Sequence, residues 1–490
     1  MYCKHFSLSL QMNADDVICQ ILKSMNEITE ILSKTSISEI IASLREKSVD
    51  VPQWSSLVDL YEPSQHTIAQ DRIGRKDRNR SDGVVEKATR LYVGLEKLLT
   101  KRMTSFTFAL PVKRVYHNLE ENETRKRIAK AIELIYKHAR IDSENIERAT
   151  KYYASCEIFT MWYAVKKPNT LYGFKSDYKL KCKTYSQMEG VRLYPLFNEL
   201  DDLLAISFEY EKTVKEKKVT FFETFTADKH YIWKCNAGDW EQVQNPEEIV
   251  LGKIPGIYAW RNLPIYAGLS HIREEIEYTL SRNSDVIAYN AAPILKVVGE
   301  IDGVESKGDS RRVYRVQNGG DVGYVTWSQA NDAIKYHIST LLDLFFMQAQ
   351  IPDISFENMK SLGNIGYDAR MTLFTDAHLK VGEESGAWLE FLERECNVIK
   401  AFLGKMNAEF ASELDNVEVE HIITPFVQND LKNDITNAMS ACGGKPIMSQ
   451  IEAIRMAGLT SDADNTLKQI QDEEAKSAAK RMESIMGGAM

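Results

Sequence analysis

Apolar residues recur along this chain with two different periods, and the period changes from one segment to the next. In residues 13–48 they recur every three or four positions, and Asn13 precedes two aspartates as a helix start signal, so two helices are predicted there. The same period predicts further helices at residues 84–103, 367–380, 387–406, 449–456 and 466–485.

A two-residue period is typical of antiparallel strands with one packed face and one wet face, and it occurs in the segment before residue 240. Strands are expected at Leu203–Tyr210, Val219–Thr226, His230–Lys234 and Val417–Thr424, and the aromatic run Tyr152–Val165 is expected to be a buried strand. Trp233 and Trp240 are interpreted as core anchors. The pattern as a whole predicts an α+β chain.

The most distinctive pattern lies between Ile254 and Leu379. After an extended segment bounded by Pro255 and Pro264, Ser270 caps a helix that is expected to end near Pro293. A second helix of similar length is expected from Ser328 to about Gln350. Two such helices flanking one insert pack antiparallel in the simplest arrangement.

The insert, Ile294–Trp327, holds six of the 25 glycines of the chain, and Asp302-Gly303 and Asn318-Gly319 are hairpin signals. It therefore predicts a small β module. A module of this size buries little core, so we expect it to gain stability by pairing its edges with neighbouring copies of itself.

The polar loop Asp353–Asn364 follows the second helix, which Pro352 ends. Long loops without secondary structure are uncommon unless they have a function, so this one is a candidate functional segment. Further along, Gly443-Gly444 and Pro446 predict a break before two C-terminal helices.

Composition and charge limit the function. With 490 residues, 44% of them hydrophobic and 27% charged, the chain is expected to fold into several cores. Its net charge of -9 argues against nucleic-acid binding over the whole surface, so any DNA contact must be local. The basic stretch Asp71–Arg80 is either a solvated loop or a contact with nucleic acid or with an acid of another subunit.

Seven scattered cysteines without a Cys-x-x-Cys pair indicate synthesis in a reducing compartment. We find neither a signal peptide nor a run of 18 apolar residues, so the protein is expected to be neither exported nor membrane-spanning.

Motifs for catalysis are missing from the sequence. Gly443-Gly444-Lys445 is followed by Pro446, where a phosphate-binding loop needs a hydroxyl, and there is no H-E-x-x-H or G-x-S-x-G string. We therefore expect no catalytic residues, no cofactor and no metal site. A site built from Asp201, Asp202 and Glu209 is the enzyme alternative, although solvated carboxylates are the simpler interpretation.

Three strings carry a resemblance to a known family. They are Trp260-Arg-Asn-Leu-Pro264, Ser281-Arg-Asn-Ser-Asp285 leading into Ala292-Pro293-Ile294-Leu295, and Ile351-Pro352-Asp353-Ile354-Ser355. In this order and spacing the chain resembles the portal proteins of tailed double-stranded DNA bacteriophages, of the long-tailed type. That family usually has Ser-Gly-x-Ala after the loop, whereas this chain has Ile365-Gly366-Tyr367-Asp368-Ala369.

The resemblance implies a multidomain α+β portal fold assembled as a dodecameric ring at one capsid vertex of the virion, after synthesis in the host cytoplasm. The ring would be a channel for packaging and ejecting DNA. The implied partners are further copies of the chain, double-stranded DNA bound without sequence preference, the terminase large subunit, a head-tail adaptor, and the major capsid and scaffolding proteins. Another non-enzymatic virion or scaffold protein is the alternative.

The resemblance also implies a domain order. The implied segments are a wing at 1–268, stem helices at 269–292 and 328–351 around a clip at 293–327, a channel loop at 352–365, a channel helix returning to the wing at 366–428, and a crown at 429–490.

The resemblance also implies candidate site residues in the channel loop, the stem and the clip. Glu357, Asn358, Met359 and Lys360 of the channel loop are expected to lie nearest the DNA, because a lysine repeated around a ring forms a cationic belt. Arg273, Arg282 and Lys335 are the stem candidates for such belts, with salt bridges between subunits as the alternative for each. Arg311, Arg312 and Arg315 of the clip are expected to dock the packaging motor and later the tail adaptor.

Overall fold

The computed structural model divides into two compact units. The first contains the described residues up to Asp353 together with Asp376–Phe426, and the second contains those of Ile354–Thr375 and Val427–Met490. The described residues are 27–70, 75–79, 81, 83–119, 122–214, 216–236, 238–290, 294–299, 301–306, 312–316, 320–325, 331–354, 372, 374–426, 431–443, 446–457, 460 and 463–487. The predictions for residues 13–26, 365–371 and Asn318-Gly319 lie outside this part of the chain.

Helices make up about half of the structure. Residues 27–32 are helical, and the longer helices are α1 (Ile37–Glu46), α2 (Trp54–Tyr61), α3 (Leu95–Phe108), α4 (Glu123–Ala139), α5 (Ile141–Ser155), α6 (Ser270–Asn290), α7 (Asn331–Ala349), α8 (Thr375–Met406), α9 (Leu431–Cys442), α10 (Gln450–Ala457) and α11 (Ala463–Gly487). Among the described residues, no helix has the length and hydropathy needed to cross a membrane.

The strands of the described residues lie in the first unit. They are β1 (Arg78–Asn79), β2 (Val85–Glu86), β3 (Lys113–His117), β4 (Glu157–Asn169), β5 (Ser176–Tyr185), β6 (Arg192–Phe197), β7 (Leu203–Val214), β8 (Lys217–Thr226), β9 (Lys229–Asn236), β10 (Asp239–Gln242), β11 (Glu247–Glu248), β12 (Gly256–Trp260), β13 (Ile294–Val298), β14 (Ile301–Ser306), β15 (Arg312–Val316), β16 (Asp321–Val325) and β17 (Glu418–Ile422).

The largest sheet is an antiparallel meander in the order β10-β9-β8-β7-β6, with β11 also paired to β9. A three-stranded sheet has the order β12-β4-β5, and β1-β2, β3-β17, β13-β16 and β14-β15 form pairs. The mixture of helices and antiparallel sheets confirms the α+β prediction.

Both faces of the meander are packed. Successive side chains of a strand point to opposite faces, so neighbouring residues of β7 enter different core clusters. On β7, Ala205 faces the cluster that includes Leu44 of α1 and Trp233. The next residue, Ile206, faces the cluster that includes Phe159 of β4. Trp233 is buried in the first cluster, as predicted, and Trp240 packs against it while partly exposed.

Two predicted boundaries are wrong. Residues 84–94 are not helical, and α3 begins only at Leu95. Tyr152 to Ser155 end α5, and β4 starts after Cys156, whose φ of 68° turns the chain. Buried aromatic side chains satisfy a helix as well as a strand, so composition did not separate the two.

Two glycine-containing segments also differ from prediction. Helix α8 is continuous, although separate helices were predicted up to residue 380 and from residue 387. It spans Gly382 and Gly386, because burial of its apolar face outweighs their helix penalty of about 1 kcal/mol each. Asp302-Gly303 lies inside β14 at an irregular pairing step and not at a turn.

Candidate functional site

Helices α6 and α7 form a hairpin with the β module between them. The helices, 21 and 19 residues long, pack against each other. Strand β13 follows α6 and pairs antiparallel with β16, which precedes α7. The chain therefore leaves and re-enters the hairpin at the same end, so the helices are antiparallel, as predicted.

The base of α6 contains a buried cluster of charged side chains. Arg273 donates from Nε to Glu96 Oε1 and from Nη1 to Glu277 Oε2, each at 2.9 Å. His66 Nδ1 lies 2.6 Å from Glu277 Oε1, and all four side chains are buried. The cluster fastens α6 to α3 and to the segment around His66.

Burial raises the pKa of Glu96, even though the Arg273 guanidinium beside it acts in the opposite direction. For Arg273, burial lowers the pKa, but Glu96 and Glu277 more than offset that effect and the pKa is raised. Arg273 therefore stays charged inside the chain. Its prediction as a side chain facing a channel is wrong, because its partners are carboxylates of its own chain and its exposed fraction is 0%.

An extended segment, residues 85–93, runs along α6, and we call it the strap. Its backbone amides bond to side chains spaced one helical turn apart: Val93 N–H to Glu277 Oε1 at 2.9 Å, Leu91 N–H to Ser281 Oγ at 2.8 Å, and Thr89 N–H to Asp285 Oδ1 at 3.0 Å. Two strap residues span about 6.7 Å and four helical residues about 6 Å, so the two repeats match. Side-chain oxygens of α6 thus accept the backbone hydrogen bonds that a neighbouring strand would accept in a sheet.

The basic stretch 71–80 is tied to the same helix. Within the described part of that stretch, Arg75 pairs with Asp285 and also bonds to the carbonyl of Thr89 at 3.4 Å. Arg75 therefore contacts an acid of its own chain. The sequence had predicted either a solvated loop or a contact with nucleic acid or with an acid of another subunit, and Arg75 fits neither.

The end of α7 is held by a contact that sequence reasoning missed. Arg102 of α3 donates to Pro352 O at 3.2 Å and to Asp353 Oδ1 at 2.9 Å, and its guanidinium lies 4.6 Å from the centre of the Phe346 ring. Lys380 of α8 donates to Ala349 O. Arg102 and Asp353 are 251 positions apart, so no local sequence pattern could indicate that they pair.

The other predicted site residues have different outcomes. Arg282 and Lys335 are exposed on α6 and α7. Arg312 and Arg315 lie on β15, while Arg311 and the loop residues Glu357, Asn358, Met359 and Lys360 lie outside the described residues.

The hairpin also exposes large apolar side chains. Tyr336 and Met347 of α7 are 75% and 65% exposed, and Tyr278 and Ile287 of α6 are about half exposed. Exposed apolar surface on two packed helices favours contact with another protein surface.

Two of the three acids of the enzyme alternative, Glu209 and Asp202, have structural partners. Glu209 accepts a bond from Tyr194 Oη at 2.7 Å and pairs with Arg45 at 2.9 Å. Asp202 accepts from Asn198 Nδ2 at 3.2 Å. Within the described residues, no group of His, Cys, Asp and Glu side chains is arranged to hold a metal ion.

Comparison with known proteins places these elements in a family. The family described as phage portal protein, SPP1 Gp6-like, matches residues 43–480. No curated protein sequence matches the chain. A solved structure described as the neck of a native GTA particle computed with C12 symmetry has 12% identity and a TM-score of 0.38, and the match covers 86% of this chain and 97% of that chain. The neck of an empty GTA particle computed with C6 symmetry has 13% identity and a TM-score of 0.34, with coverage of 74% and 89%.

Proposed function

This chain belongs to the SPP1 Gp6-like family of phage portal proteins, and from that premise we propose that its copies form a ring-shaped channel at one capsid vertex. DNA would be packaged and later ejected through the ring. The observation that carries the proposal is the family match. It extends over residues 43–480 and so includes α6, α7, the β module and most of the C-terminal helices.

The hairpin supports a role as the wall of the channel. At about 1.5 Å per residue, α6 and α7 are each roughly 30 Å long, which is enough to line a substantial length of duplex. Their exposed residues Tyr336, Met347 and Ile287 would pack against neighbouring copies. The strap, the buried Arg273 cluster and Arg102 would hold the hairpin rigid at its base.

Charge repeated by symmetry explains how an acidic chain handles DNA. Duplex DNA carries one negative charge per about 1.7 Å of axis, and each exposed cation of one subunit is repeated around the ring. Arg282, Lys335 and the loop residue Lys360 would supply such belts, and the rest of the wall would let the duplex slide. Phosphate contacts hold DNA without reading its sequence.

The β module would dock the terminase large subunit during packaging and the head-tail adaptor afterwards. Arg312 and Arg315 on β15, with Arg311, are the proposed docking residues. The same proposal includes the limits given above for the wing, stem, clip, channel loop and crown. It also includes contacts with capsid and scaffolding proteins.

Electron microscopy of the purified protein tests the assembly. Class averages viewed down the symmetry axis are expected to show closed rings of about twelve subunits with a central channel. Filaments or monomers under the same conditions would favour the alternative of another virion or scaffold protein.

A further inference from the structure

The hairpin formed by β4 and β5 has an unusual charge for this chain. Residues 163–185 contain six lysines and one acid, Asp177, although the whole chain has a net charge of -9. No arginine lies in this segment. The six are Lys166, Lys167, Lys175, Lys179, Lys181 and Lys183.

Three of the lysines lie on one face of the sheet. Residues Lys179, Lys181 and Lys183 alternate along β5, so they point to the same side, about 6.7 Å apart along the strand. They lie opposite Val165, Tyr163 and Met161 of β4. Tyr163 and Val165 are exposed on this face, and the Lys183 ammonium lies 4.8 Å from the centre of the Tyr185 ring.

Packing of the neighbouring residues holds the two strands that carry the lysine face. On its opposite side, Trp162 and Leu180 are buried in the core. The loop at the end of the hairpin is fixed by Tyr172, which is buried and accepts a bond from Leu180 N–H at 2.9 Å, and by Phe174, which packs on Phe410. The lysines are therefore carried on a rigid support.

These lysines have no carboxylate partner within the described residues, in contrast to the nearby Lys151, which pairs with Glu147 and Glu189. Lysines of an edge strand also discourage pairing with other sheets, and β5 is an edge strand. That role does not explain Lys166, Lys167 and Lys175, which lie on β4 and in the loop.

We propose that this lysine face, which lies on elements other than α6 and α7, is a binding surface for the phosphate backbone of double-stranded DNA. A row of unpaired cations matches a continuous polyanion, and affinity of this kind does not depend on sequence. Lysine is depleted in protein–protein interfaces and arginine is enriched there, so six lysines without an arginine favour a nucleic acid over an acidic protein. The inference rests on the proposed function only because that function supplies the duplex.

Fluorescence anisotropy with a labelled duplex of about 30 base pairs tests the surface. The variant K179Q/K181Q/K183Q of the full chain is compared with K212Q/K217Q/K218Q, which removes the same charge at the exposed turn between β7 and β8. Each lost phosphate contact lowers the slope of log affinity against log salt by about 0.9. The first variant is expected to lose two to three units of slope and to bind about tenfold or more weakly at low salt.

The control variant is expected to keep most of the affinity, and two duplexes of different sequence are expected to bind alike. K179R/K181R/K183R, which keeps the charge, should bind as the unaltered protein does. If removing three lysines causes aggregation, K181Q alone should lower the slope by about 0.9.

Equal affinity and slope in the first variant and the unaltered protein would overturn the proposal, as would equal losses in both glutamine variants. Unchanged DNA binding together with lost incorporation into capsids would indicate an acidic protein as the partner and would also overturn it. Ring formation in all variants is checked by electron microscopy, so a failure of the proposed function, in which the unaltered protein forms no rings, is recognised separately.

Discussion

Arg148 and Glu395 form a bidentate ion pair inside the first unit, with both side chains fully buried. Arg148 donates from Nη1 to Oε1 at 2.7 Å and from Nη2 to Oε2 at 3.1 Å. Trp162 adds a bond from Nε1 to Oε1 at 3.0 Å. The pair thereby joins α5, β4 and α8, so the long helix that follows the loop is fixed to the antiparallel sheets.

Replacing Glu395 with leucine is expected to lower the free energy of unfolding by about 3–5 kcal/mol, because the Arg148 charge stays buried without a partner. Urea denaturation followed by circular dichroism measures the loss. The control is Arg394→Ala, which breaks only an exposed pair with Glu390 and should change stability little. Similar small losses in both variants would show that the buried pair does not fix α8.

Arg273 and Arg282 lie on the same helix and should respond differently to replacement by methionine. Arg273→Met leaves the buried Glu96 and Glu277 without their cation, so a loss of about 3–5 kcal/mol is expected. Arg282→Met should leave thermal stability nearly unchanged and weaken DNA binding by the assembled ring. A stable Arg273 variant with a DNA defect would contradict the structural role given to Arg273.

Ser281→Ala is expected to loosen the strap locally, since Leu91 N–H loses its acceptor. This bond is only partly buried, so its loss is expected to cost about 1 kcal/mol. Hydrogen exchange measured by mass spectrometry should show faster exchange in the peptide containing Leu91. Ser284→Ala is the matched control, because the Ser284 hydroxyl bonds to Leu280 O of its own helix. Equal acceleration in both variants would show that the Ser281 hydroxyl does not hold the strap.

Glu157 should make stability depend on pH. Burial raises the pKa of this carboxyl from 4.5 to about 7, although Tyr258 and Gln187 donate to it. Between those two values the folded state binds more protons than the unfolded state, so the free energy of unfolding falls as pH rises through the window. At about pH 8 the cost is on the order of 3 kcal/mol.

Glu157→Gln removes this ionisation and keeps the shape of the neutral carboxyl. Relative to the unaltered chain, the variant should gain stability between about pH 5 and pH 8 in urea titrations. Glu248→Gln, at an exposed position of β11, should show no such gain. A constant difference across the pH range would mean that folding does not shift the pKa of Glu157.

Lys360→Glu tests the proposed channel loop. Reversing this charge in every subunit replaces a cationic belt by an anionic one, so packaging or retention of DNA should fall while rings still form. The measurement is the DNA content of heads produced with the variant, with Lys335→Glu as a comparison on α7. Normally filled heads from the Lys360 variant would remove this residue from the channel.

Local patterns predicted much of the fold. The start of α6 at Ser270, the end of α7 before Pro352, and strands β7, β8 and β9 were all predictable, because caps, prolines and two-residue alternation act within a few positions. Prediction failed where local signals were ambiguous or were overruled. Tyr152 and Tyr153 fit a buried helix or a buried strand, and the glycines of α8 are outweighed by packing.

The candidate site was less predictable than the fold. Arg273 and Arg282 looked alike in the sequence as cations on the polar face of one helix. The chain folds Glu96 and His66 against one of them and leaves the other exposed, and those partners are distant in sequence. The lysines of β5 were visible in the sequence, but their common face depended on which side of β4 and β5 became buried.

The sequence by itself determined the family resemblance, the α+β composition and the hairpin with its β insert, since these depend on short-range periodicity and on the order of segments. Only the tertiary structure decided which charges are buried and which are free. A charged side chain enters the interior only where a partner from elsewhere in the chain compensates its desolvation. For Arg273 and Arg148 such partners exist, and for the lysine face of β5 the described residues offer none.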